Sequence, residues 1–217
     1  MCKYLIHTCN DRRWYVDKYL IPSMLKQDIK EKDIFIYQDF NDEGNLISTM
    51  KSFSQLHGEE GTWHLQDDII ISSKFKVMTE AYNDGLVCGF CSDYCRDFPI
   101  GMVPVEKLWY SFPCIHIPDK LAKECSDWFF HDVLSNSEYR MWVRAKKYDD
   151  SVFRIFLQDY YPYDMGFNLS PNIVNHIDYL LGGSVVNSQR SLDKVTAVYW
   201  TDYKLLRDIE DELLNNI

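Results

Sequence analysis

The chain has 217 residues, 46% hydrophobic and 26% charged, a balance that supports a packed core without metal or disulfide staples. Its formal net charge of -10 disfavours a surface that coats nucleic acid, because neutralising phosphates takes a field of Lys and Arg. No apolar run reaches the roughly 20 residues a membrane-spanning helix needs, and the opening MCKYLIHTCNDRR is too soon interrupted by charge to read as a secretory signal.

Lys3 to Thr8 (KYLIHT) reads as a short buried strand. Cys9-Asn10-Asp11 is turn and cap chemistry, and WYVDKYLIPSMLKQ follows as a helix that Pro22 kinks or divides. Asp33 to Gln38 (DIFIYQ) is a second strand. After Asn41-Asp42-Glu43-Gly44, the spacing of Leu46, Met50 and Phe53 predicts a helix over NLISTMKSFSQL. TWHLQ is a third strand and runs into Asp67-Asp68 and Ile69-Ile70-Ile71. A helix from Ser73 to Gly85 and a fourth strand, LVCGFC, complete the first half. This alternation predicts an α/β fold, a three-layer α/β/α sandwich with a mostly parallel sheet.

The second half is less regular. LWYSF and CIHI are short strand candidates; PDKLAKECSDWF and SEYRMWVRAKKY read as helices. Asp149-Asp150-Ser151 opens another helix, SVFRIFLQDYY, and TDYKLLRDIEDELLNN forms the last. With no repeat or linker in view, one domain over residues 1–217 is expected. The seven cysteines are odd in number and scattered through apolar segments, which suits a reducing compartment, so a cytoplasmic location is expected. Cys88, Cys91 and Cys95 have one CxxC spacing but no second paired cluster, so buried thiols are favoured over zinc.

In parallel α/β sheets the ligand crevice lies beyond the carboxyl ends of the strands. Asn10 to Arg13, Asp39 and Asp67-Asp68 all fall at such ends. Two adjacent carboxylates on an apolar strand are costly to hold unless a cation neutralises them, and a hard divalent ion keeps coordination positions open for phosphate oxygens. The plainer alternative is that the pair caps the following helix. His176-Ile177-Asp178 offers a neutral imidazole that could join a metal shell, or simply a satisfied histidine. Gly182-Gly183-Ser184 permits close backbone approach to a ligand, and equally a plain turn. Asp149 and Asp150 supply either a general base or an ordinary helix cap.

Strand one with CNDRRWYVDKYLIPSML, then TWHLQDDIII, then NIVNHIDYLLGGSVVN, together resemble the small glycosyltransferases of the glycosyltransferase-A fold, in particular compact members of bacteriophage and bacterial genomes. The resemblance implies a nucleotide-binding half over residues 1–100 and an acceptor-binding half over 101–217. It implies that Gln66-Asp67-Asp68 stands at the family's acidic DxD metal motif, with Gln in the first position. Asp68 is then the expected metal ligand, Asp67 and Gln66 donor contacts, and His176 the histidine that completes the shell. Asn10, Arg12 and Arg13 correspond to the first nucleotide-facing loop, reached through Thr8, and Asp39 to an acid that accepts a hydrogen bond from the base. Gly183 and Ser184 are expected against the donor. Asp150, with Asp149, is the expected base.

The implied reaction moves a sugar from a nucleotide-diphosphate donor, a UDP-sugar above all, to an acceptor hydroxyl with Mn²⁺ or Mg²⁺. The acceptor is a saccharide or a hydroxymethylated DNA base. The alternative is a nucleotide-sugar binding module without catalysis. A P-loop NTPase is excluded by the lack of GxxxxGK[ST].

Overall fold

The computed structural model describes residues 2–41, 43–56, 60–90, 101–104, 113–136, 149–160, 165–169 and 172–177, with Lys204, Asp208 and Asp211. Among these, nine strands run in chain order: β1 Lys3–Cys9, β2 Ile34–Asp39, β3 Gly61–Gln66, β4 Ile69–Ile71, β5 Leu86–Cys88, β6 Gly101–Pro104, β7 Cys114–Pro118, β8 Met165–Asn168 and β9 Val174–His176. A helical run, α1, begins with a 3-10 turn at Asn10–Arg12 and continues through Arg13–Tyr15, a π turn at Val16–Leu20 and Ile21–Leu25. Then come α2 Asn45–Ser54, α3 Phe75–Ala81, α4 Asp119–Trp128 with its π extension Phe129–Val133, and α5 Asp149–Tyr160.

Seven strands form one sheet in the order β2-β1-β3-β7-β5-β8-β6, and β4 pairs with β9 in a second. In the large sheet β1 is parallel to both β2 and β3, and β5 to β8. β7 runs against β3 and β5, and β6 against β8. Five of the seven strands therefore share one direction. The expected class, α/β with a mostly parallel sheet, is the one observed. Alternation along β1 explains the layering, since successive side chains of a strand face opposite ways. Leu5 packs with Met50, Phe53, Trp128 and Phe153 from α2, α4 and α5. Tyr4 and Ile6 pack with Tyr15, Leu20, Met24 and Phe75 from α1 and α3. Each face has its own core, giving three layers.

Four details differ from the sequence reading. The parallel run is interrupted, because β7 (the CIHI segment) enters antiparallel between β3 and β5. A strand buried on both faces is apolar whichever way it runs, so its pattern carries no direction. Strands from residues 1–100 and 101–217 thus share one sheet. The helix around Pro22 is not divided; a π turn precedes Pro22 and accommodates its missing N–H. Ile69-Ile70-Ile71 does not prolong β3 but pairs with Val174–His176. The helix after it covers Phe75–Ala81 only, and Gly85 turns the chain into β5 with φ +70°, a conformation that favours glycine. Cys88 is a buried free thiol, as expected. The segments LWYSF and SEYRMWVRAKKY, Cys91, Cys95 and most of the last helix lie outside the described residues.

Between the sheet and α2 lie two buried histidines on neighbouring strands. Their rings are 6.0 Å apart; His7 Nε2 meets Ser48 Oγ at 2.6 Å and His64 Nε2 meets Ser52 Oγ at 3.1 Å. Burial pushes His7 down to about 4 and His64 well below the ordinary range. Between pH 4 and about 6.5 the unfolded chain therefore binds protons that the folded state refuses, so stability falls as the pH falls. From His7 alone the loss approaches about 3 kcal/mol by pH 4, at ~1.4 kcal/mol per pKa unit. Replacing His7 by Gln, whose amide can keep the bond to Ser48, is expected to flatten the pH dependence of urea unfolding by about that amount. Identical slopes for the two proteins between pH 7 and 4 would show that His7 is not held neutral.

Candidate active site

Asp67 and Asp68 form the link between β3 and β4, at the carboxyl end of the main sheet. They are 5% and 6% exposed. Their position is set from three sides. β1 runs beside β3, with His7 opposite Gln66, so the next residues of β1 reach Asp67. Thr8 Oγ1 donates to Asp67 Oδ2 at 2.8 Å and the Cys9 amide donates to the same oxygen at 3.3 Å. From α1, the buried Tyr15 hydroxyl donates to the Ile69 carbonyl at 2.7 Å. Just after β9, the Ile177 amide donates to the Asp68 carbonyl at 2.8 Å.

The first turn of α1 brings Arg12 over the pair. A single guanidinium nitrogen, Nη1, donates to Asp67 Oδ1 at 2.8 Å and to Asp68 Oδ2 at 2.7 Å. The antiparallel register of β4 and β9 sets Ile69 opposite His176, which places His176 Nε2 3.3 Å from Asp68 Oδ1. That oxygen is buried and accepts no hydrogen bond of good geometry. Burial works against ionisation of Asp68, but the neighbouring His176 and Arg12 hold its carboxyl well below the usual carboxylate range. Burial, and then the charge of Asp68, push Asp67 up to about 6, against the pull of Arg12, Thr8 and the Cys9 amide. The two acids are thus unequal. Asp68 is the firmly ionised one, and its Oδ1 lies 3.3 Å from the imidazole of His176.

Thr8, Arg12, Asp67, Asp68 and His176 converge. Gln66 leads into them, its amide bonded to the Pro113 carbonyl at 3.2 Å. Asn10 lies one strand over: its Oδ1 accepts from Gln38 Nε2 at 2.8 Å and its Nδ2 donates to the Phe40 carbonyl at 3.3 Å. Arg13 turns away from Arg12, toward Asp17 at 2.9 Å and Gln38 Oε1 at 3.0 Å. Asp39 is buried and spends its carboxylate on its own loop. Its Oδ1 accepts from the Asn41 amide at 3.1 Å and its Oδ2 from the Glu43 amide at 3.0 Å. Beside it Phe40 is 71% exposed. Asp149 and Asp150 occupy the first turn of α5; their side chains, with Gly183 and Ser184, lie outside the described residues. Sequence reasoning missed Tyr15 and Gln38, whose partners are distant in the chain. It could have found the Asp39 turn, since Asp followed by Asn41 and Gly44 is a loop signature.

No protein-family model and no curated protein matches the chain. Among solved structures, the crystal structure of S. aureus TarS 1-349 is similar, with a TM-score of 0.49 and 13% identity over 98% of this chain and 66% of that one. The chain spans just under two thirds of that structure's length.

Among the described residues, no group of three or more His, Cys, Asp and Glu side chains converges on a metal position. Two donors do fit part of a coordination shell. Cis ligands of an octahedral Mg²⁺ or Mn²⁺, at about 2.1 Å each, lie about 3 Å apart, and Asp68 Oδ1 and His176 Nε2 are 3.3 Å apart. Such ions commonly take one or two protein ligands and fill the remainder with water and phosphate oxygens. A buried carboxylate oxygen beside an imidazole nitrogen offers such an ion two donors. Among the described residues no helix is long and apolar enough to cross a membrane.

Proposed function

We propose that the chain is a glycosyltransferase that moves a sugar from a nucleotide-diphosphate donor, a UDP-sugar, to an acceptor hydroxyl. The observation that carries this reading is the buried Oδ1 of Asp68, 3.3 Å from His176 Nε2 at the carboxyl end of a mostly parallel sheet. Its agreement with the DxD-like position of Gln66-Asp67-Asp68 and with the late histidine adds support.

Asp68 and His176 would hold Mn²⁺ or Mg²⁺, which when bound supplies Lewis-acid stabilisation of charge on the departing diphosphate. Asp67, anchored by Thr8 and Cys9, fixes Asp68 and faces the donor. Arg12 supplies a guanidinium that can pair with phosphate oxygens in a fork. The rim of Asn10, Gln38 and exposed Phe40 lies where the nucleoside would sit. Asp150, with Asp149 beside it at the start of α5, is assigned the proton of the acceptor hydroxyl. A net charge of -10 favours a saccharide acceptor over a modified DNA base.

The test is a thermal-shift series of UDP, GDP and ADP with and without Mn²⁺, followed by turnover of the matching nucleotide-sugar. UDP with Mn²⁺ is expected to stabilise the protein, by about 2.7 kcal/mol at a hundred times the dissociation constant. Binding without turnover of any sugar would leave a donor-binding module. No binding by any of the three, with or without Mn²⁺, would overturn the reading.

A further inference from the structure

Arg12 stands where a cation between the two carboxylates would stand. One nitrogen bridges Asp67 Oδ1 and Asp68 Oδ2 at 2.8 and 2.7 Å. A site built only to bind metal would leave its carboxylates open, whereas a structural ion pair would be sealed from solvent. This one is neither: the carboxylates are buried, and the arginine side chain is 27% exposed. Among the described residues the guanidinium is held by the acidic pair, through one nitrogen.

We propose that Arg12 is an exchangeable placeholder for positive charge: it neutralises the acidic pair, and a nucleoside diphosphate draws it off so that a metal can bind beside it, at Asp68 Oδ1 and His176 Nε2. The inference rests on the glycosyltransferase reading and adds an order of binding to it. A divalent ion approaching Asp68 alone meets the positive charge of Arg12 in a poorly screened position. A diphosphate removes that conflict, because its oxygens accept from the guanidinium on one side and ligate the ion on the other. Metal and nucleotide then strengthen each other, and by linkage each does so by the same factor. The plain view of Arg12 as a phosphate ligand predicts only weaker nucleotide binding when it is removed. The placeholder predicts in addition that metal alone binds better.

The experiment is calorimetric titration of Mn²⁺ into the wild-type protein and Arg12→Gln, each with and without saturating UDP. Wild type is expected to bind Mn²⁺ weakly alone and about ten-fold or more tighter with UDP, within the usual span of coupling between sites. Arg12→Gln is expected to bind Mn²⁺ alone several-fold tighter than wild type, with a smaller gain from UDP, the part that remains coming from phosphate oxygens on the ion. Unchanged or weaker Mn²⁺ affinity in Arg12→Gln overturns the proposal, while UDP-dependent Mn²⁺ binding by wild type leaves the function standing. No Mn²⁺ binding to either protein, with or without UDP, overturns both. If Arg12→Gln does not fold, by circular dichroism, Arg12→Met decides. Methionine removes the charge and keeps an unbranched stem, so Mn²⁺ alone is expected to bind it several-fold tighter than wild type; equal or weaker affinity overturns the proposal.

Discussion

Asp68→Asn is expected to lower sugar transfer by about 10²–10³-fold, the usual cost of removing one preorganised charge-stabilising group, and to abolish the Mn²⁺-dependent thermal shift by UDP. The amide keeps the shape of the side chain, so Tyr15, Ile177 and the β4–β9 pairing still hold the turn. It removes the charge that pairs with His176 at 3.3 Å. Stability is expected to change little, by about 1 kcal/mol, for a specific reason. The charge of Asp68 is, after burial, the chief influence pushing Asp67 up. Once it is gone, Asp67 ionises more readily and forms a one-to-one pair with Arg12. A large rate loss with a preserved fold is therefore the expected signature. Turnover within about three-fold of wild type would remove Asp68 from the chemistry.

The sequence conveys strand and helix positions well where burial is periodic. The Leu46, Met50 and Phe53 stripe of α2 is buried as its spacing requires, and β1, β2, β3 and β5 fall on the apolar runs that predict them. It also places Thr8, Asp39 and Asp67-Asp68 at strand ends, because in an alternating α/β chain the first polar residues after each strand must emerge there. Periodicity reports which residues are covered, not by what. The insertion of β7 between β3 and β5 and the pairing of β4 with β9 join segments far apart in the chain, so no local signal marks them. Arg12 and Arg13 are neighbours of one residue type, yet one enters the acidic pair and the other reaches Asp17 and Gln38. Their divergence follows from adjacent positions pointing different ways on a helical turn, with the strand ends of β1 and β3 beside only one of them. Asp39 reads as a base contact in the sequence; in the fold its oxygens also accept from two amides of its own loop. His176 is placed beside Asp68 by strand register, something only its order in the chain could suggest.

The second large effect concerns stability. Asp67→Ala is expected to cost about 3–5 kcal/mol, the range for removing one partner of a buried charged network. Three donors converge on Asp67: the Thr8 hydroxyl and Cys9 amide on Oδ2, and Arg12 on Oδ1. Alanine leaves all of them without that acceptor at a position only 5% exposed. One term opposes the loss: repulsion between Asp67 and Asp68 is relieved, and Arg12 retains Asp68 at 2.7 Å. The donors from β1 have no such second acceptor in the pair, and the void beside them adds to the cost. Asp67→Asn separates the parts. Its remaining oxygen can serve Thr8 and Cys9, while its amide nitrogen faces Arg12 without accepting, so a loss of about 1–2 kcal/mol is expected. Urea unfolding of the three proteins at pH 7.5 measures both steps. A loss below about 1 kcal/mol for Asp67→Ala would mean that the turn is held by its backbone bonds to Tyr15 and Ile177, and that the carboxylate of Asp67 serves the ligand alone.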